Sequence, residues 1–93
     1  MPFFTYMLKC ADESYYIDHT DNIEQRTSQH KSGKIDGYTA SRLPIELEWM
    51  ENFHTRDATF CAERKIKGWS RKKKDALIQG DWNMISLLSK NHQ

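Results

Sequence analysis

Residues 3–17 read Phe-Phe-Thr-Tyr-Met-Leu-Lys-Cys-Ala-Asp-Glu-Ser-Tyr-Tyr-Ile, and this stretch decides the fold. Its first arm, Phe3 to Cys10, is rich in aromatic and apolar residues and predicts a buried strand. Asp12-Glu13-Ser14 has turn-forming composition, and Tyr15-Tyr16-Ile17 predicts the returning strand. The chain therefore opens with a β-hairpin, and the elements that follow must pack against it.

Downstream of the hairpin, the pattern predicts one helix, one strand and three more helices. Thr20 or Asp21 is suited to cap a polar helix that ends near Lys31. Residues 45–49 alternate apolar and acidic side chains, as a half-buried strand does. The order β-β-α-β-α-α-α predicts a small α/β (α+β) domain, with a three-stranded, mainly antiparallel sheet flanked by helices. A length of 93 residues favours a single domain over residues 1–93.

Each of the last three helices has a predicted cap. The caps are Thr55, Ser70 and Asp81, and the short basic helix after Ser70 is expected to stop at Gly80. The last helix covers residues 81–91. Helical spacing predicts a core stripe on the helix after Thr55, made of Ala58, Ala62, Ile66 and Trp69. In the last helix, Trp82, Ile85 and Leu88 share a face.

Charge is unevenly distributed along a chain whose net charge is only +1. Residues 62–76 carry seven basic and two acidic side chains, a local charge of +5 that leaves −4 on the rest. Such a cluster predicts an anionic partner such as DNA, and a solvated helix face is the alternative. The side chains predicted to bind nucleic acid are Arg64, Lys67, Arg71, Lys72, Lys73 and Lys74.

Composition gives no indication of a membrane or secreted protein. Apolar residues make up 38% of the chain, and no run approaches the ~20 needed to span a bilayer. The start, Met1-Pro2-Phe3, lacks the basic and apolar regions of a secretory signal. Cys10 and Cys61 are expected to be buried thiols in a reducing compartment. We therefore expect a cytoplasmic protein.

Five side chains together provide the parts for phosphodiester hydrolysis. Glu63 can hold a divalent metal, and Arg26 can grip the phosphate and offset developing charge. Tyr6, Tyr16 or His30 can take a proton from the attacking water. Each residue is common in structural positions, so the hypothesis depends on all five occurring together in this order.

That order resembles the GIY-YIG nuclease superfamily, in particular its small stand-alone bacterial branch of YhbQ-type, UvrC-like proteins. The resemblance covers about residues 3–80, from the two tyrosines to the basic helix. It is carried by the segments Cys10 to Tyr16, His19 to Glu24, Gly37-Tyr38-Thr39, Arg42 to Ile45 and Ala62 to Arg71. The run Ile66-Lys67-Gly68-Trp69-Ser70-Arg71 is the most specific of these.

The resemblance implies an endonuclease that uses one divalent ion, Mg²⁺ or Mn²⁺, and cleaves DNA, including branched, nicked or damaged DNA met in DNA repair. It implies that Tyr6 and Tyr16 are the signature tyrosines, Arg26 the phosphate-binding arginine and Glu63 the metal ligand. His30 corresponds to a helix histidine found in many members. Either tyrosine can be the general base. Specificity is expected from this fold or from a protein partner.

Two positions depart from the family pattern. Asp18 stands where the second signature triplet has glycine, and Glu13 occupies a hairpin turn that glycine usually eases. The Asp18 carboxylate can repel a phosphate, at a cost of ~1 kcal/mol or more, or act as a second metal ligand beside Glu63. The alternatives to a nuclease are therefore a nucleic-acid-binding module without chemistry and an interaction module with no nucleic-acid role.

The other histidines show no metal-ligand spacing in the sequence. His19, His54 and His92 are accordingly expected to have no part in the site.

Overall fold

Three strands and four helices follow one another in the predicted order, in a computed structural model that describes residues 2–35 and 37–91. The elements are β1 (Phe3–Lys9), β2 (Tyr15–Thr20), α1 (Ile23–Lys31), β3 (Glu46–Phe53), α2 (Arg56–Lys67), α3 (Arg71–Gln79) and α4 (Trp82–Asn91). The α+β class and the order β-β-α-β-α-α-α are confirmed. Within the described ranges, none of the helices is both long enough and apolar enough to cross a membrane.

The sheet has the strand order β2-β1-β3, and β1 pairs antiparallel with both neighbours. In the hairpin, Tyr6 lies opposite Asp18 and Leu8 lies opposite Tyr16. Because side chains alternate between the two faces of a sheet, these four side chains share one face. The register therefore brings both signature tyrosines and Asp18 together.

The hairpin turn is strained at Glu13, whose φ is 73°. A side chain in this left-handed conformation costs about 1–2 kcal/mol, which glycine avoids. The expectation that glycine would ease this turn is therefore confirmed. Among the described residues, Glu13 is the one non-glycine position with positive φ. Asp18 consequently has an ordinary strand backbone, and its effect must come from its side chain.

Both faces of the sheet are covered, which makes β1 the most buried element. On one face, Met7 and Ile17 pack with buried side chains of the last three helices: Ile66, Ala76, Leu77 and Ile85. On the other face, Tyr6 and Leu8 pack with Cys10 and Ile45. Thr5 fixes β1 to α2 by donating its hydroxyl hydrogen to the carbonyl oxygen of Thr59, at 2.8 Å.

The predicted caps of the last three helices are confirmed, but that of α1 is wrong. Thr55 and Ser70 accept hydrogen bonds from the first turns of α2 and α3, and Asp81 does so for α4. Helix α1 is capped by Asn22, whose side chain accepts from the Gln25 N–H at 3.1 Å. Thr20 is still part of β2, and its hydroxyl oxygen accepts a hydrogen bond from the Asn22 N–H at 3.1 Å, so the cap falls two residues later.

Two predicted burials are also wrong, because Ala58 and Cys61 are exposed. Helix α2 turns Thr59, Glu63 and Ile66 inward. Apolar spacing misplaced the inner face of this helix because two of its three buried residues are polar.

Met7 offers a test of the core, because its side chain is fully buried at the centre of the sheet. Met7→Ala should lower the free energy of unfolding by about 2–5 kcal/mol, since it removes buried methylenes and leaves a cavity. Met50 on the neighbouring strand is 49% exposed, so Met50→Ala is the matched control and should change stability by no more than about 0.5 kcal/mol. Urea unfolding measures both values, and equal losses would contradict this core assignment.

Candidate active site and metal centre

A buried line of hydrogen bonds connects β1, α1 and the loop after α1. The Tyr6 hydroxyl lies 3.0 Å from His30 Nε2, and His30 Nδ1 lies 2.7 Å from Thr39 Oγ1. All three side chains are fully buried. Burial, together with the nearby Arg26 charge, lowers the pKa of His30, so the ring is neutral at physiological pH. A neutral ring that donates its Nδ1 hydrogen to Thr39 leaves Nε2 free to accept the Tyr6 hydrogen.

Tyr16 lies beside His30, with ring centroids 5.3 Å apart. Its hydroxyl donates to Asp18 Oδ2 at 2.9 Å. Burial, this hydrogen bond and the charge of Asp18 raise the pKa of Tyr16 to about 12. Burial, with a smaller contribution from Asp18, likewise raises the pKa of Tyr6. Both phenols are therefore protonated near neutral pH.

Asp18 occupies the middle of the site. It accepts hydrogen bonds from Tyr16 and from the backbone N–H of His19 at 2.8 Å, and Arg26 Nη1 lies 4.0 Å from its Oδ2. Burial opposes the charge on this carboxyl, but these hydrogen bonds outweigh it and hold the pKa of Asp18 below its ordinary value. Asp18 is therefore ionised, and it partly neutralises the arginine predicted to bind phosphate.

Glu63 approaches from α2 and is a buried acid, with its side chain only 6% exposed. Its Oε1 contacts His19 Nδ1, and its Oε2 accepts a hydrogen bond from Lys67 Nζ at 2.8 Å. One possible ligand atom from each of Asp18, His19 and Glu63 lies within 4.8 Å of the other two. Two carboxylates and an imidazole are donors that divalent ions accept, so these residues fit a divalent metal.

His19 is the residue that sequence reasoning missed. Strand β2 lies at the sheet edge beside α2 and directs this ring toward Glu63, which the sequence did not predict. The two residues are 44 positions apart, so no local spacing could have indicated the contact. His54 is exposed, and His92 lies outside the described residues.

Two of the six predicted nucleic-acid-binding residues line a surface cleft of about 260 Å³ next to the site. These are Lys67 and Lys74, which share the cleft with Tyr15, Tyr16 and Tyr38. Tyr38 stacks on Tyr16 with centroids 6.0 Å apart. The cleft therefore combines basic side chains with aromatic faces beside the phenol of Tyr16.

The other four basic residues have different surroundings. Arg71 lies over the Tyr15 ring at 3.9 Å, Lys73 over the Trp69 ring at 4.5 Å and Arg64 over the Phe60 ring at 5.6 Å. Lys72 is exposed on α3. The basic segment is thus divided among several aromatic contacts, and Lys67 and Lys74 line the cleft beside Tyr16.

The predicted catalytic side chains converge around Asp18. Tyr6, Tyr16 and His30 meet on one face of the sheet, and Arg26 lies 4.0 Å from the Asp18 carboxylate. A carboxylate oxygen of Glu63 lies within 4.8 Å of one of Asp18 at the edge of β2. Adjoining elements of one small antiparallel domain thus carry all five predicted site residues.

Residues 2–76 match the model of the GIY-YIG catalytic domain family. The chain therefore belongs to the GIY-YIG family, and the resemblance seen in the sequence is confirmed.

Similar proteins are small, and this chain covers most of their length, which supports the stand-alone branch. A UPF0213 protein of Bacillus pumilus is 42% identical over 76 residues, which cover 82% of this chain and 78% of that protein. UPF0213 protein NP_0776A of Natronomonas pharaonis is 40% identical over 75 residues, which cover 81% of this chain and 88% of that protein.

Two solution NMR structures share the fold. The UPF0213 protein BH0048 from Bacillus halodurans has a TM-score of 0.56 and 33% identity, and the similarity covers 85% of this chain and 84% of that one. Protein EF2693 from E. faecalis has a TM-score of 0.59 and 30% identity, and the similarity covers 86% of this chain and 85% of that one.

Proposed function

We propose that this chain is a DNA endonuclease that hydrolyses phosphodiester bonds with the help of Mg²⁺ or Mn²⁺, and that branched, nicked or damaged DNA is its substrate. The observation that carries the proposal is the convergence of two phenols, a guanidinium, an imidazole and a buried carboxylate around Asp18. The match to the GIY-YIG catalytic domain supports nuclease chemistry.

Arg26 and Glu63 have complementary roles in this proposal. The Arg26 side chain is 35% exposed, so its guanidinium can reach an incoming phosphate and form charge-assisted hydrogen bonds with it. Glu63 is held in place by burial and by its contacts to His19 and Lys67. A divalent ion bound at Glu63 would polarise the phosphate and stabilise the leaving oxygen.

In this proposal a tyrosine accepts the proton of the attacking water. Because both phenols are protonated, each must pass on its own hydrogen as it takes one from water. Tyr6 has an acceptor in the neutral His30 ring at 3.0 Å, and Tyr16 has one in Asp18 at 2.9 Å. Tyr16 lines the surface cleft, where water can reach it, whereas Tyr6 is fully buried and would need a rearrangement before it could act as the general base.

The cleft beside Tyr16 gives the DNA backbone a path into the site. Lys67 and Lys74 supply positive charge along it, next to the stacked rings of Tyr16 and Tyr38. Backbone contacts of this kind carry little sequence information. Specificity beyond DNA structure would then come from a protein partner.

One observation favours a second candidate function, a nucleic-acid-binding module without chemistry. Asp18 already pairs with Arg26 and accepts the hydrogen of Tyr16, so it occupies two groups that a phosphate would need. In that case the fold and the basic side chains would bind DNA, and the site would not cleave it.

Cleavage by the unmodified chain and by Asp18→Gly separates the two candidates. On a panel of labelled branched, nicked and intact DNA at saturating Mg²⁺ or Mn²⁺, we expect both proteins to cleave. Asp18→Gly should lower KM several-fold, because it removes a repulsion worth ~1 kcal/mol and frees Arg26. If Tyr16 is the general base, kcat should fall as well, because the substitution removes the acceptor of the Tyr16 hydrogen. Asp21→Gly, at an exposed acid outside the site, is the control. Cleavage that appears only in Asp18→Gly, with none from the unmodified chain in any metal, would establish the second candidate.

A further inference from the structure

Strand β2 brings two more metal-binding side chains to Glu63 than the proposed function requires. Asp18 and His19 are consecutive in an edge strand, so their side chains leave opposite faces of the sheet. Both nevertheless lie near Glu63 at the strand edge: His19 contacts its carboxylate, and a carboxylate oxygen of Asp18 lies within 4.8 Å of one of Glu63. We propose that Asp18, His19 and Glu63 form a three-ligand site that selects a first-row transition ion, Mn²⁺, over Mg²⁺. The inference deepens the metal requirement of the proposed function.

The donor atoms are already close to the positions that an ion needs. Atoms that bind one ion at about 2.0–2.2 Å can lie no more than about 4.4 Å apart. The three donors lie within 4.8 Å of one another, so small side-chain rotations are enough to gather them. His19 Nδ1 is the common point, because it contacts Glu63 Oε1 and lies 3.6 Å from Asp18 Oδ1.

The site is open enough to solvent for an ion to enter and for water molecules to fill its remaining coordination positions. The side chains of Asp18 and His19 are each 26% exposed, whereas Glu63 is 6% exposed. Two ligands therefore face solvent, and one is fixed in the protein interior. The ring of Phe60 packs edge-on against His19 with centroids 5.8 Å apart, which limits how far the imidazole can turn.

The nitrogen ligand determines the metal preference. Mg²⁺ favours oxygen donors in a near-ideal octahedron and keeps several of its waters. Imidazole binds first-row transition ions more readily than it binds Mg²⁺, and carboxylates suit Mn²⁺ as well as Mg²⁺. An imidazole between two carboxylates therefore strengthens Mn²⁺ binding more than Mg²⁺ binding.

The ammonium group of Lys67 competes with a metal ion for the Glu63 carboxylate. It lies 2.8 Å from Glu63 Oε2 and supplies part of the positive charge that an ion would supply. An ion on Glu63 must share that carboxylate with Lys67 or displace it toward the cleft that Lys67 also lines. Removal of Lys67 should therefore increase metal affinity, in contrast to removal of a ligand.

The test is a titration of the full chain with Mn²⁺ and no DNA, followed by electron paramagnetic resonance. We expect one bound ion whose spin-echo modulation shows a directly coordinated ¹⁴N nucleus. His19→Asn should remove that coupling and weaken Mn²⁺ binding by about tenfold or more, with a smaller change in Mg²⁺ affinity measured by competition. Lys67→Met should tighten Mn²⁺ binding several-fold. His54→Asn and Lys65→Met, at exposed positions, are the matched controls and should change neither value.

The spectrum of the unmodified chain decides the question even if a variant fails to fold. Absence of ¹⁴N coupling, or equal Mn²⁺ affinity in folded His19→Asn, overturns the three-ligand site. The proposed function fails separately: Mn²⁺ bound through nitrogen without DNA cleavage keeps the site and rejects the nuclease. Cleavage with Mg²⁺ and no nitrogen coupling keeps the nuclease and rejects the site.

Discussion

Glu63→Gln is expected to reduce DNA cleavage by about 10³-fold or more, because it removes several kcal/mol of metal-assisted charge stabilisation. Glutamine preserves the size of the side chain and its hydrogen-bonding reach, but it lacks the negative charge that holds a cation. Initial rates at saturating Mg²⁺ and Mn²⁺, on whichever DNA is cleaved fastest, measure the loss. Unchanged cleavage would remove Glu63 as the metal ligand.

Glu63→Gln also disturbs the contacts around residue 63, so the stability of the variant must be measured together with its activity. Glu63 is buried, and the amide leaves Lys67 and His19 without their anionic partner. The Lys67 side chain is 52% exposed and that of His19 is 26% exposed, so water can solvate both and the loss in unfolding free energy should be about 1 kcal/mol or less. Thermal unfolding should therefore accompany every rate. Glu51→Gln, at an exposed position of β3, is the matched control and should alter neither rate nor stability.

The sequence predicted the parts of the fold that depend on local chemistry. The hydrophobic run of β1, the caps Thr55 and Ser70 and the left-handed stop at Gly80 each follow from a few neighbouring residues. The inner face of α2 did not, because Thr59 and Glu63 are buried through distant partners. Thr59 meets Thr5 and Glu63 meets His19, contacts 54 and 44 residues apart in sequence.

The candidate site, like the fold, has residues that the sequence could predict and residues that depend on distant contacts. Tyr6, Tyr16 and Arg26 could be chosen because their types and order match a known chemistry. His19 and Thr39 could not, since their contacts to Glu63 and His30 exist only once the strands and helices are packed. Asp18 was recognised as a departure, yet its position at the centre of the site depends on the register that sets it opposite Tyr6.

Arg26→Ala is expected to reduce kcat/KM for DNA cleavage by about 10²- to 10³-fold, the usual cost of removing one group that stabilises transition-state charge. Arg26 is the cation that faces Asp18 from α1, and its proximity also favours ionisation of both site tyrosines. Arg26→Lys keeps the charge but loses the planar, two-pronged donor, so its rate should fall between those of Arg26→Ala and the unmodified chain.

The distribution of the loss between kcat and KM identifies what Arg26 does. Equal decreases in kcat and kcat/KM, with KM unchanged, mean that the guanidinium acts on charge that develops in the transition state. We expect this pattern, because in the resting protein Asp18 partly neutralises Arg26, and that pairing weakens its hold on the ground-state phosphate. Arg56→Ala, which removes an arginine that lies over the Phe3 ring, is the control. A rise in KM alone, with kcat preserved, would instead mean that Arg26 binds DNA in the ground state. The metal and the tyrosines would then stabilise the transition state without it.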